Sequence, residues 1–196
     1  SLRARLWRPG AMPIAETVSI LRDVARALAY AHEHGVVHRD IKPDNIMLAG
    51  GSAVVVDFGI AKAISAARTE GEYATITYAG TSLGTPAYMA PEQATGDPGV
   101  DHRADLYAFG CTAYEMLAGQ TPFTGKTSQR LFAAHMVETP DPIGTRRTDT
   151  PPALAALVMR CLEKDAGARP ETAAEVARII DTVAHTAAPA ALLASS

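Results

Sequence analysis

The stretch VVHRDIKPDNIML, Val36 to Leu48, decides how this chain is read. Between apolar ends it carries two cations, Arg39 and Lys42, two acids, Asp40 and Asp44, the amide of Asn45, and Pro43. A core strand would not tolerate those charges, and a solvated loop would have no need of the apolar flanks. The stretch reads as a loop of chemical groups pinned to the rim of a core.

Working outward, two short apolar runs follow, Ile46 to Ala49 and Ala53 to Val56, separated by Gly50, Gly51 and Ser52. That pattern predicts a β-hairpin, with Asp57 at its exit. A hairpin runs out and back, so Asn45 and Asp57, both hard-oxygen ligands, come close together. Asp40 would reach the same spot from the preceding loop, where a carboxylate can orient and deprotonate a hydroxyl. Lys42 can neutralise charge on a transferring phosphoryl group. A magnesium ion bound by few protein oxygens, a base and a cation are the minimum for phosphoryl transfer, which relies on positioning and electrostatics.

The rest of the chain is helical in pattern. Ile14, Val18, Leu21, Ala25 and Leu28 form a stripe at helical period, with Gly35 placed to end it. Residues 104–117 are hydrophobic nearly all round, as in a central buried helix, with Asp105 near its start. Further helices are predicted over residues 128–137, from Pro151 and Pro152 to about Lys164, and from near Pro170 to about Ala184. The small-residue end, 185–196, reads as a tail or linker. Residues 65–85 show no period. The expected class is mainly α, with one or two small hairpins.

The totals exclude several functions. The chain has 196 residues, 47% hydrophobic and 20% charged, with a net charge of -3. That is enough for one globular domain, and it gives no bulk electrostatic reason for a nucleic-acid partner. Arg3, Arg5 and Arg8 read as a solvated basic face. Cys111 and Cys161, both in apolar helical settings, read as reduced core thiols. No membrane segment or leader is seen, which points to a cytoplasmic domain whose parent can be anchored beyond the C-terminus.

Two motif matches fail. GQTPFTGKT, Gly119 to Thr127, has Gln120 where a phosphate-binding loop needs glycine, and it follows a helix. HEHGVVH has Val36 where a zinc-protease helix needs histidine. His38 is expected to be structural.

HRDIKPDN and the later DFG resemble the catalytic and metal loops of eukaryotic-type serine/threonine protein kinases. GTPAYMAPEQ, Gly84 to Gln93, resembles the end of that family's activation segment, and DHRADLYAFGC and GQTPFTG resemble its bacterial members. The resemblance implies ATP and Mg2+ as cofactors and a protein Ser/Thr hydroxyl as acceptor, in phosphorylation signalling. It implies Asp40 as base, Lys42 on the γ-phosphate, Asn45 and Asp57 on magnesium, Thr85 toward Asp40 and Lys42, and Met47 beneath the adenine. Glu92 would pair with Arg169, and Asp105 would brace the catalytic loop. Arg39 would receive a phosphorylated residue, with Thr81 first and Ser82, Thr77 and Thr75 behind it. A kinase dimer in the parent is compatible with this reading.

Such an enzyme also needs a glycine-rich loop and a strand lysine before the catalytic loop. The first lysine here is Lys42. The expectation is therefore a protein-kinase-like helical C-lobe over residues 1–184 of an α+β parent fold, without its nucleotide-covering lobe and inactive alone. The alternative expectation is a lobe-less scaffold or decoy that binds proteins without catalysis.

Overall fold

The computed structural model describes residues 1–9, 11–58, 86–125 and 127–193, with side chains through residue 186. The elements in chain order are α1 (Leu2–Leu6), α2 (Ile14–Glu33), β1 (Ile46–Ala49), β2 (Ser52–Val55), α3 (Pro91–Ala94), α4 (Arg103–Ala118), α5 (Ser128–Val137), α6 (Ile143–Arg146), α7 (Pro152–Cys161) and α8 (Ala173–Leu193). The fold class is mainly α, as the pattern predicts.

The central element is α4. Every residue from Ala104 to Leu117 except Glu115 is buried, because α2, α6 and α7 pack around it. Its contact with α7 is close. A Cβ built on Gly110 would stand 2.8 Å from the Cys161 Cβ and 3.3 Å from the Cys161 carbonyl carbon. Both cysteines are buried and unpaired, and burial pushes the Cys161 thiol up to about 12.

The stripe of α2 (Val18, Leu21, Val24, Ala25, Leu28) is buried, and α2 lies along α8 and under β2. Beyond it His34 caps the helix and Gly35 follows at φ 73°. The Asp23 carboxylate accepts a hydrogen bond from the Ala53 N–H at 2.9 Å, which ties the hairpin to the helix.

The hairpin is antiparallel, Ile46 opposite Val55 through to Ala49 opposite Ser52. Ser52 is therefore the first strand residue and not part of the turn. Gly50 (φ 58°) and Gly51 (φ 81°) alone make the turn, and two consecutive positive φ angles are what a two-residue type I′ turn requires. Ile46, Ala53 and Val55 face the core, while Met47 and its partner Val54 remain 42% and 50% exposed.

Three further sequence readings are corrected. The last helix continues through Leu193, past the end expected near Ala184. The alanines after Thr186 carry high helix propensity without any stripe to mark it. The helix after Pro152 ends at Cys161, short of Lys164. Two of the three arginines near the start are not solvated, since the Arg3 side chain is only 16% exposed and pairs with Glu115 and the Arg5 side chain is 21% exposed and pairs with Glu16, whereas Arg8 is exposed as expected.

Candidate active site

The site grows from the end of α4. Asp105 is fully buried, and its two oxygens accept hydrogen bonds from consecutive backbone amides, Oδ2 from His38 N–H at 2.8 Å and Oδ1 from Arg39 N–H at 2.6 Å. His32 of α2 donates through Nε2 to the same Oδ2 at 2.8 Å. One carboxylate thus fixes the backbone entering the catalytic loop. Arg39 sits at φ 66°, a left-handed conformation costly for a residue that carries a Cβ. Its carbonyl accepts from Gln93 Nε2 at 3.1 Å, so both of its backbone polar groups are held from outside.

His38 continues the scaffold. Its Nε2 lies 2.9 Å from the Val56 carbonyl, which can only accept, so Nε2 carries the proton. Nδ1 is then free to accept the Asp40 N–H at 3.2 Å. The ring, fully buried and 4.7 Å centroid to centroid from Phe58, links the catalytic loop to the strand exit.

The chemical groups lie on this frame. Lys42 Nζ is 2.8 Å from Asp40 Oδ2. Asn45, in a 3₁₀ turn over Pro43–Asn45, donates through Nδ2 to the Asp40 carbonyl at 2.8 Å and to Asp40 Oδ2 at 3.1 Å. With its nitrogen committed, the oxygen of that amide is the atom able to meet a cation. The Asn45 carbonyl accepts the Val56 N–H at 2.9 Å, which extends the β-ladder to the residue before Asp57. Asp57 is exposed and, at φ 58°, is the second non-glycine residue in the left-handed region. The structure so brings Asp40, Lys42 and Asn45 into direct contact and places Asp57 one residue beyond the strand pair that anchors Asn45.

An amide oxygen and an exposed carboxylate are hard donors, and magnesium keeps most of its shell for water and phosphate oxygens. Among the described residues no three His, Cys, Asp or Glu side chains converge as an all-protein metal cage. The donor set therefore fits magnesium bound through Asn45 and Asp57 better than zinc or calcium.

Comparison with known proteins gives the family. The family described as the protein kinase domain matches residues 1–179. The chain belongs to the protein kinase family. It is 38% identical over 177 residues to the serine/threonine-protein kinase PknB of Mycolicibacterium smegmatis, a match covering 90% of this chain and 27% of that protein. PknB of Mycobacterium leprae matches to the same extent. The serine/threonine-protein kinase PknD of Mycobacterium tuberculosis H37Rv is 41% identical over 179 residues, 90% of this chain and 26% of the relative. The chain thus spans about a quarter of the length of these kinases.

The other residues singled out by sequence fall in two groups. Glu92 and the buried Arg169 form a bidentate pair at 2.6 and 2.8 Å. The remaining guanidinium donors reach the carbonyls of Glu163, Arg103 and Lys164, so all five N–H groups are used. Thr85, Thr81, Ser82, Thr77, Thr75 and Lys126 lie outside the described residues. Thr127, which ends the phosphate-loop-like stretch, caps α5 by accepting the Arg130 N–H at 3.2 Å.

Sequence reasoning missed a second polar junction at the far end of α4. Arg3 donates to Glu115 Oε1 at 2.6 Å, to the Tyr88 hydroxyl, and to Asp44 of the catalytic loop at 3.2 Å. Tyr88 also donates to Glu115 Oε2 at 2.5 Å. Burial alone would lower the Arg3 pKa, but its bonds to Tyr88 and Glu115 outweigh that and raise it. The signal was present in Glu115, a lone acid late in a helix that is otherwise apolar nearly all round.

Proposed function

We propose that this chain is the large, substrate-binding lobe of a bacterial serine/threonine protein kinase, which in its whole form transfers the ATP γ-phosphoryl group to a protein Ser or Thr hydroxyl with Mg2+. The observation that carries the reading is the Asp40 carboxylate, held on one oxygen by both Lys42 and Asn45. A carboxylate oriented by an ammonium and an amide is positioned to accept the proton of an attacking hydroxyl. Lys42 would turn from Asp40 toward phosphoryl charge. Asn45 and Asp57 would hold the metal, which supplies charge neutralisation between phosphate oxygens. The names of PknB and PknD support the serine/threonine class.

The finer assignments belong to the same proposal. Thr85 would complete the acceptor site, and Met47 would underlie the adenine. Arg39 would receive a phosphate on Thr81, or on Ser82 or Thr77 behind it, as a charge-assisted pair. The chain alone would have negligible transferase activity, since no lysine precedes Lys42 and no glycine-rich loop precedes the catalytic loop. The exposed pair Met47 and Val54 supports a surface that needs a covering partner, and would serve a non-catalytic scaffold as well.

The test fuses the small lobe of PknB ahead of this chain and measures phosphate transfer to a protein substrate. Activity that falls at least 100-fold in Asp40→Asn, with unchanged ATP affinity, is expected. A fused protein that binds Mg-ATP but shows no transfer, with Asp40 intact, would favour the scaffold.

A further inference from the structure

The polar junction at the far end of α4 has the make-up of a cation-recognition pocket, and its occupant belongs to the chain. The Arg3 guanidinium donates through Nη1 to Glu115 Oε1 at 2.6 Å, through Nε to Asp44 Oδ2 at 3.2 Å, and through Nη2 to the Tyr88 hydroxyl. Its central carbon lies 5.8 Å from the centroid of the Tyr88 ring. Carboxylates around the N–H fork, with an aromatic ring beside it, are the groups that hold arginine in protein recognition. The charges do not balance, since two carboxylates face one guanidinium. The excess sits at the mouth: Glu115 is 12% exposed, whereas Asp44 is 48% exposed.

That mouth belongs to the catalytic loop. Asp44 lies in the 3₁₀ turn Pro43–Asn45, and Asn45 of the same turn is bonded to Asp40. The short run of chain between them keeps the Asp40 and Asp44 Cα atoms within about 15 Å of each other. An extended peptide advances about 3.3 Å per residue. A peptide whose hydroxyl meets Asp40 therefore brings residues within about four positions of that hydroxyl into reach of the Asp44 carboxylate.

We infer that Arg3 is an internal occupant of a cation subsite for the acceptor peptide, a role that rests on the kinase reading of Asp40. An arginine of the chain stands where an arginine of the peptide would otherwise bind, so the acceptor is chosen without a basic residue at that position. With Arg3 in place, a basic peptide side chain meets only the half-exposed Asp44, a screened contact worth no more than about fivefold in binding. Without Arg3, the nearly buried Glu115 carboxylate and the Tyr88 hydroxyl are left to the peptide, and a desolvated guanidinium pair there gains at least about tenfold. A clamp with a structural role alone would lower stability when removed and leave peptide choice unchanged.

The test has two arms. In the first, thermal melts of the 196-residue chain are read with and without agmatine, a small guanidinium probe. Arg3→Ala should melt below the parent and be raised by millimolar agmatine. The parent and Arg5→Ala, whose arginine is paired instead with Glu16, should not respond. In the second arm, the chain fused to the PknB small lobe phosphorylates one acceptor peptide with arginine placed at each position in turn, against the alanine peptide. The intact protein should prefer arginine by less than about fivefold at every position. Arg3→Ala should prefer it at one position by at least about tenfold, through KM and not kcat, and Asp44→Asn in that background should reduce the preference. Arg3→Ala that ignores agmatine, folded or not, or that keeps the parent's peptide preference, would overturn the inference. A fused parent that phosphorylates none of the peptides counts against the kinase reading instead, and the agmatine melts then decide the subsite alone.

Discussion

Arg169 offers the most quantitative test of how this lobe is held together. Its side chain is fully buried and gives all five N–H groups to oxygen, two to Glu92 and three to the carbonyls of Glu163, Arg103 and Lys164. It also lies 4.9 Å from the Tyr107 ring centroid. Removing one partner of a buried ion pair costs about 3–5 kcal/mol, because the other charge is left uncompensated. Glu92→Ala falls in that range. Glu92→Gln keeps an acceptor and the side-chain volume, so it should cost less, about 2 kcal/mol, near the worth of a charged hydrogen bond. Arg169→Met should be the worst of the three. It strands the Glu92 carboxylate and also leaves three carbonyls without their donor, each a further penalty of about 1 kcal/mol or more. For a domain of this size 1 kcal/mol moves Tm by about 2–4 °C, so Glu92→Ala should lower it by roughly 10 °C. Urea unfolding followed by circular dichroism gives the free energies directly. The order Arg169→Met, Glu92→Ala, Glu92→Gln is the prediction. If Arg169→Met were as stable as Glu92→Gln, the carbonyl bonds would be energetically empty and the ledger wrong.

His135 is fully buried, with Nδ1 at 2.8 Å from the Tyr107 hydroxyl, and burial with the nearby Lys164 charge pushes its pKa from 6.5 down to about 4. The unfolded chain therefore binds the extra proton between those values, so stability is intact above about pH 6.5 and falls by about 2 kcal/mol by pH 5. Urea midpoints at pH 7 and pH 5 should differ accordingly in the parent and much less in His135→Gln. Gly110→Ala gains up to about 1 kcal/mol of helix propensity but drives a methyl into Cys161, for a net loss of roughly 1–3 kcal/mol. Cys161→Ala leaves its Cβ in place and should give no relief in a thermal melt. Asp105→Asn can satisfy only one of the two loop amides through its single carbonyl oxygen. Exchange at His38 or Arg39 should accelerate at least tenfold, and unchanged protection at both would remove Asp105 as their anchor.

What could be read from the residues themselves was whatever depends on neighbours along the chain, while the distant Glu92–Arg169 pair and the Asp105 brace came from the family resemblance. Asp40, Lys42 and Asn45 lie within six residues, so their meeting follows from one short loop, and the Asp57 position follows from one hairpin. The buried helix α4 was legible because its apolar run leaves no polar face. The role of Arg3 was not, since its partners stand 41, 85 and 112 residues away, and no local period encodes such a meeting. His32 was hidden for the same reason. It sits in an amphipathic helix where only the partner, Asp105 at 73 residues' distance, distinguishes a network histidine from an ordinary one. The overrun of α8 has a different cause. The small residues after Ala184 carry no helical period, so their composition reads as a tail although the helix runs on.

The two junctions missed or half-seen are the two ends of one rod. Asp105 and Glu115 are ten residues apart on α4, about 15 Å along a helix buried on every side. Their electrostatic situations are opposite. Asp105 lies in the first turn, where the helix dipole favours an acid and backbone amides are within reach. Glu115 lies in the last turn, where the dipole opposes it, and it is only 12% exposed. An acid at that end of a buried helix needs a cation, and Arg3 supplies it while also gripping Asp44 and Tyr88. The catalytic loop is thereby held at His38 and Arg39 by one end of the rod. At Asp44 it is held, through Arg3, by the other. Because the rod cannot shorten or rotate without breaking a core packed on all its faces, the spacing between those two grips is fixed. That spacing holds the loop segment that carries Asp40, Lys42 and Asn45 in register between its two grips.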